Sequence, residues 1–197
     1  MSKTTQRLNV IKSLLAQLGP YQVLLRSQVN EHIFEVFCYF QKSKELMDRG
    51  KIPSFLNVSG NKFSAHAKPG KPRSASYISF HDPAGETLNL FLNGKFLGRS
   101  KIYHSPDLAL TTSKNDQIVS IYECKNHSGP LVLGVYREFI GYCEEMDLLV
   151  RGSRNQKIRT VRNSYPELRP CIYTSATAKK SHKNLMKRYD FTVIDKL

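Results

Sequence analysis

Between positions 4 and 18 the apolar residues Leu8, Ile11, Leu14, Leu15 and Leu18 recur every three or four places, and Gly19-Pro20 follows. That spacing predicts an amphipathic helix stopped by the Gly-Pro pair. A second helical pattern covers about 21 to 48, with Ile33, Phe34, Phe37, Phe40 and Leu46 on one face. Asn30 is its candidate N-cap and Gly50 its stop.

From about residue 54 the period changes. Short runs of Val, Ile, Phe and Tyr alternate with Gly, Pro, Asn and Asp, which predicts β-structure. "SYISF" ends at His81-Asp82-Pro83-Ala84-Gly85, and "ETLNLFL" ends at Asn93-Gly94, a strong hairpin signal. "PDLALTT" and "QIVSIYECKN" flank the polar turn Ser113 to Asp116 and predict an antiparallel pair. After Gly129-Pro130, "LVLGVYREFIGYCEEMDLLV" is helical, with Leu133, Tyr136, Phe139 and Ile140 on one side. A basic loop from Arg151 to Asn163 leads to "PCIYTS" as strand, "ATAKKSHKNLMKRY" as helix and "DFTVIDKL" as strand. Strand, helix, strand at this length implies a β-α-β crossover and a parallel pair. The chain therefore predicts one α/β domain built on a mixed sheet.

Composition narrows the class. The 197 residues suffice for one domain with a substantial core, and 40% hydrophobic with 23% charged residues fits a globular protein. No apolar run approaches the roughly 18 residues of a membrane span, and the N-terminus lacks the continuous apolar core of a signal peptide. A soluble, cytoplasmic protein is expected. Cys38, Cys124, Cys143 and Cys171 are scattered, with no CxxC pair, and read as reduced, mostly buried thiols.

Charge changes the picture more. Thirty Lys and Arg against sixteen Asp and Glu leave a formal net charge of +14, an excess that usually faces a polyanion. Three basic stretches are candidates for binding nucleic acid: Lys68, Lys71 and Arg73; Arg151, Arg154, Lys157, Arg159 and Arg162; and Lys179, Lys180, Lys183, Lys187 and Arg188. The second is the most pointed, because arginine also grips guanine edges bidentately. The third has an ordinary reading as a solvated helix face.

Along "QIVSIYECKN", alternation puts Val119, Ile121, Glu123 and Lys125 on one face and Ile118, Ser120, Tyr122 and Cys124 on the other. Both faces are largely apolar, so the strand is expected to be central, with a carboxylate and an ammonium at its end. Folding the hairpin about 113 to 116 brings Asp107, just after Pro106, opposite Glu123 and Lys125. Two carboxylates at that range repel unless a hard divalent cation lies between them, and Mg²⁺ favours such oxygens. A neighbouring lysine can stabilise negative charge in phosphodiester hydrolysis.

Pro106-Asp107, fifteen intervening residues and then Glu123-Cys124-Lys125 resembles the signature of the PD-(D/E)xK nuclease superfamily, the restriction endonuclease-like fold. The resemblance covers about 30 to 197, with residues 1 to 29 as an N-terminal helical extension. It implies Mg²⁺, replaceable by Mn²⁺, held by Asp107, Glu123 and the backbone carbonyl of Cys124, with Lys125 positioning the attacking water. It also implies an acidic residue from the first core helix, best matched by Glu35 in "EHIFEVF", with Glu31 as competitor. Glu138 and Tyr142 fall where some members carry a polar residue and a tyrosine, although those members use glutamine at the first position. His104 and His127 flank the motif and read as loop histidines.

The function so implied is a metal-dependent DNA endonuclease, restriction-type or mobile-element-associated and homodimeric, with neither a membrane partner nor an organic cofactor. Its alternatives are a structure-specific repair nuclease or Holliday junction resolvase, and a non-catalytic nucleic-acid-binding module of the same fold.

Overall fold

The structure, a computed structural model, describes residues 2–19, 22–24, 29–64, 76–82, 85, 87–113, 117–149, 165 and 168–197. Among these, the elements in chain order are α1 (Lys3–Leu18), β1 (Gln22–Leu24), α2 (Asn30–Asp48), β2 (Ile52–Leu56), β3 (Lys62–Ser64), β4 (Tyr77–His81) and β5 (Leu88–Leu92). There follow β6 (Phe96–Leu97), β7 (Tyr103–His104), β8 (Leu108–Thr112), β9 (Ile118–Lys125), α3 (Leu133–Glu145), β10 (Cys171–Thr174), α4 (Lys180–Lys187) and β11 (Thr192–Ile194).

Seven strands form one mixed sheet in the order β11-β10-β9-β8-β5-β4-β2. The run from β2 to β9 pairs antiparallel, whereas β9, β10 and β11 pair parallel. The expected crossover is present, and β9 and β8 lie in the interior of the sheet. Two smaller ribbons, β1–β3 and β6–β7, stand outside it.

Each face of the sheet is covered by helix. One core joins α1 and α2 to Ile78, Phe80, Leu90, Leu108, Leu110, Tyr122 and Cys124. The other joins Tyr136, Phe139 and Cys143 of α3 and Met186 of α4 to Ala109, Ile121 and Ile172. The helix read as an extension puts Ile11, Leu14 and Leu15 into the first core. Its Arg7 lies over the Phe34 ring at 4.4 Å and donates to Asn126 Oδ1 at 3.1 Å and to the Leu197 main-chain oxygen at 3.0 Å. That side chain thereby ties α1 to the residue following β9. All four cysteines are free and buried, as expected. Among the described residues no helix is long and apolar enough to cross a membrane.

The structure departs from the sequence reading at several boundaries. The helix expected from about 21 starts at Asn30; β1 takes 22–24 and pairs in parallel with β3. Val29 is the N-cap, and Asn30 instead accepts from Thr4 Oγ1 through its side chain, at 2.7 Å. The Asn93-Gly94 hairpin does not form, because β5 pairs with β4 and β8; the turn leads into the β6–β7 ribbon.

Helices α3 and α4 end earlier than their apolar patterns suggest. After α3, Asp147 adopts φ 55° and Leu148 N–H donates to Cys143 O at 2.7 Å; after α4, Asp190 adopts φ 59° and Phe191 N–H donates to Met186 O at 3.1 Å. Both are Schellman ends in which aspartate holds the left-handed position usually given to glycine. Gly50, at φ 82°, ends α2 in the same way, with Lys51 N–H on Leu46 O at 3.2 Å.

Finally, the alternation in β9 is broken near its start. Leu110 stands opposite Ser120 while Thr111 stands opposite Ile118, so Val119 is the extra residue of a bulge. Val119 joins the α2 core and Ile118 packs against the α3 core, the reverse of strict alternation. From Ser120 onward the alternation is regular, which is what aims the end of the strand.

Candidate active site

The register of β8 with β9 fixes the relation between the two acids. Leu108 pairs with Tyr122, so one step further Asp107 is opposite Glu123. Ala109 and Ile121 lie in the α3 core, and period-2 alternation puts Asp107 and Glu123 on that same face. Directly opposite residues have Cβ atoms about 4.5–5.5 Å apart. Pro106 is buried and supplies no N–H, so β8 begins only after Asp107 and the acid sits at the open end of the ladder.

Asp107 Oδ2 accepts from the Cys124 N–H at 2.7 Å, in place of the main-chain partner that β8 would have supplied. Within a strand the carbonyl of a residue points to the same side as its N–H, so the Cys124 carbonyl is directed past the end of β8 toward Asp107. The Lys125 carbonyl faces the other way and accepts from Ser175 N–H at 3.2 Å. The Cys124 thiol is buried in the α2 core, and burial there holds it well above the usual thiol range. Any ligand role of Cys124 therefore belongs to its main chain.

Lys125 Nζ donates to Glu123 Oε2 at 2.7 Å; the lysine side chain is 31% exposed and that of the glutamate 15%. Burial acts to lower the Lys125 pKa, but Glu123 and Asp107 outweigh it, leaving the ammonium more firmly protonated than usual. For Asp107 the balance goes against the charged form. Burial, then Glu123, and more weakly Glu35 push its pKa well above the carboxylate range, against the Cys124 hydrogen bond and Lys125. An acid so raised in a site of like charges is a place where a cation is favoured.

Glu35 reaches this cluster from α2. Asn93 N–H donates to the Asp107 carbonyl at 2.8 Å, and the Asn93 side-chain amide donates to Glu35 Oε2 at 3.2 Å. His32 Nδ1 lies 3.4 Å from the same oxygen. Glu31, one turn earlier, is exposed. From α3, Tyr142 Oη accepts from Ser105 N–H at 3.3 Å; burial raises its pKa, with added contributions from Glu123 and Asp107. Glu138, one turn before it, is exposed.

The structure thus brings Asp107, Glu123, Lys125 and the Cys124 main chain together, with Glu35 and Tyr142 beside them. Asn93 is the participant that sequence reasoning missed. Its Asn-Gly setting read as a hairpin turn, whereas its φ of 54° turns the chain out of β5 and frees the amide for Glu35. His104 stacks edge-on against Tyr142 and lies 3.8 Å from Glu145, whereas the exposed His127 contributes only a main-chain carbonyl that accepts from Ser175 Oγ.

Among the described residues no group of three His, Cys, Asp or Glu forms a ready metal cage. What the chain offers is two facing carboxylates and a main-chain carbonyl. That set suits Mg²⁺, which is held through one or two carboxylates and keeps several of its waters.

Of the basic candidates, Lys68, Lys71 and Arg73, and Arg151, Arg154, Lys157, Arg159 and Arg162, lie outside the described residues. Lys179 and Lys180 are exposed at the start of α4, whereas Lys183 is engaged with Asp195 at 2.7 Å. That ion pair takes Lys183 out of the group of free cations. Comparison of the chain with protein-family models, with curated proteins and with solved structures gives no significant match in any of the three.

Proposed function

We propose that the chain is a Mg²⁺-dependent endonuclease that hydrolyses DNA phosphodiester bonds, of the PD-(D/E)xK, restriction endonuclease-like kind. The observation that carries this reading is the facing pair Asp107 and Glu123 at the ends of two interior strands, with the Lys125 ammonium 2.7 Å from Glu123. Helix α2, the antiparallel strands bearing the motif, then α3, β10, α4 and β11 follow the element order that such a fold requires.

In this reading Asp107, Glu123 and the Cys124 carbonyl hold the metal, whose chemistry when bound is to polarise a phosphoryl oxygen and acidify a water. Lys125 stays protonated and offers its partly exposed ammonium to the negative charge that develops on the phosphate. Glu35 and Asn93 brace the Asp107 side of the site, and Tyr142 closes the α3 side. The net charge of +14 supplies sequence-independent attraction to the backbone. Cutting both strands calls for a second copy of the site, hence a homodimer, in a restriction-type or mobile-element setting.

A second reading, a non-catalytic nucleic-acid-binding module, is favoured by one observation: the Lys125 ammonium, 2.7 Å from Glu123, already neutralises it. Incubation of supercoiled plasmid with Mg²⁺ or Mn²⁺ separates the two. The nuclease reading expects nicked and linear products from the wild type, and Lys125→Ala slower by roughly 10²–10³-fold, the scale of losing one transition-state stabiliser. Binding without cleavage in the wild type would support the module, and unchanged cleavage by the variant would remove Lys125 from the site.

A further inference from the structure

The β6–β7 ribbon grows out of the candidate active site. On its outgoing strand, Asn93 bonds to the Asp107 carbonyl and to Glu35; on its return, Ser105 donates to the Asn93 carbonyl at 3.4 Å and to Tyr142 at 3.3 Å. The tip is closed by Gly98 N–H on Ile102 O at 2.8 Å, with Lys101 in the left-handed region at φ 65°. Two bonds strap it to the end of α3, Arg99 N–H to Glu145 O at 2.8 Å and Ser100 N–H to Glu145 Oε2 at 3.0 Å. The ribbon is held in place from both ends.

Its two faces differ sharply. Phe96 stands opposite His104, and these turn inward, onto Phe91 and Tyr142 respectively. Leu97 stands opposite Tyr103, and opposite residues share a face. That outer pair is left in water, Leu97 50% and Tyr103 68% exposed, with Ile102 at 61% next to Tyr103. Three large apolar side chains projected from a braced ribbon contribute nothing to the core and mark a contact surface.

Charge selects what the surface contacts. Lys95, Arg99 and Lys101 are exposed on the same ribbon, and no acidic residue occurs from Thr87 to Pro106. The nearby acids belong to α3 and the turn after it: Glu144 faces Arg99 at 3.5 Å, Glu145 is occupied by Ser100 and His104, and Asp147 lies across the adjoining cleft. A second copy of the chain, docked ribbon to ribbon, would press these cations against each other. Three side chains also fall far short of the roughly 20–30 residues a side of a stable protein interface. A polyanion with flat apolar faces meets both features.

We propose that the ribbon is a base-stacking element for the strand led into the site. Tyr103 presents its ring to an unstacked base, Leu97 and Ile102 flank it, and Lys95 and Lys101 meet neighbouring phosphates. This rests on the nuclease reading for the position of the scissile phosphate. It deepens that reading by naming the substrate class, DNA with exposed bases, single-stranded or forked, and so favours the structure-specific form of the nuclease over restriction-type cutting of uninterrupted duplex.

The test is binding of labelled single-stranded, forked and blunt-duplex oligonucleotides in EDTA, followed by fluorescence anisotropy. Tyr103→Ala should weaken binding of the first two by roughly five- to a hundredfold, the effect of losing one stacked base, and of the blunt duplex by less than about twofold. Tyr103→Phe should bind as the wild type does, and both variants should melt with the wild type because the position is exposed. Equal affinities of wild type and Tyr103→Ala for all three substrates, or a loss shared equally by the blunt duplex, overturns the proposal. So does a Leu97→Ser variant that sediments at a different mass with unchanged DNA affinity, which would assign the face to self-association. Because no divalent metal is present, the outcome is independent of cleavage. A stacking effect without cleavage of the same forked oligonucleotide in Mg²⁺ would count against the nuclease and not against the ribbon.

Discussion

Asp107→Asn is expected to lose the proposed metal-dependent cleavage and at the same time to make the metal-free protein more stable at neutral pH. Asparagine keeps an oxygen to accept the 2.7 Å hydrogen bond from Cys124, so the end of β9 stays anchored. What it removes is a carboxylate whose charged form is disfavoured by burial and by Glu123 and Glu35. The sign follows from proton linkage. A folded-state pKa above the unfolded value, about 3.9, means the folded protein binds that proton more tightly. The resulting stability is complete below the unfolded pKa and is lost as pH rises through the raised one. In EDTA, the wild type should therefore melt below Asp107→Asn at pH 7, with the gap closing as pH falls into the ordinary carboxylate range. Added Mg²⁺ should raise the melting temperature of the wild type alone. Cleavage should fall by roughly 10²–10³-fold or more, the scale of lost electrostatic stabilisation. A variant less stable than wild type at every pH would mean that the carboxylate serves the fold.

The second large effect is expected at Tyr39, at the centre of α2. Its hydroxyl donates to the Leu90 carbonyl at 2.9 Å and accepts from the Ile78 N–H at 3.0 Å. Ile78 and Leu90 are partners across β4 and β5, so the phenol is wedged into the sheet ladder itself. Burial drives its pKa far above the usual value, and it remains a neutral donor throughout the accessible pH range. Tyr39→Phe keeps the ring against Phe40 and Phe63 but strands a buried N–H and a buried carbonyl. At about 1–3 kcal/mol for each stranded group, the loss is about 2–4 kcal/mol, allowing for partial closure of the ladder. It should appear as a lower midpoint in guanidinium, with activity falling only as the folded fraction falls. A midpoint matching wild type would show that the ladder closes over the gap.

Strand pairing lies closer to the surface of this sequence than helix ends and bulges do. The antiparallel pair around residues 113–116, the β-α-β end and the approach of Asp107 to the Glu123–Lys125 end of β9 were legible from side-chain alternation and strand order, whereas the exact partner, Glu123 and not Tyr122, is set by the one-residue shift of the β9 bulge. The β9 bulge was not legible: Val119 and Ile118 are both apolar, and either fits either core. Nor were the ends of α3 and α4, since Asp147 and Asp190 take a backbone conformation for which glycine is the usual signal. Asn93 misled for a related reason. A left-handed Asn before Gly makes a tight hairpin when the flanking strands pair, but here β8 occupies the edge of β5 that a hairpin partner would need. The exposed Leu97–Tyr103 pair could not be read either, because a two-residue strand has no period to detect.

The most direct test of the central claim is titration with Mn²⁺, followed by the loss of its free-ion paramagnetic resonance signal. If Asp107 and Glu123 together hold a divalent cation, the wild type shows a saturable site. Glu123→Gln, which keeps the shape of the side chain and removes its charge, loses that site. Saturable binding of equal strength in Glu123→Gln, or none in the wild type, would contradict the account.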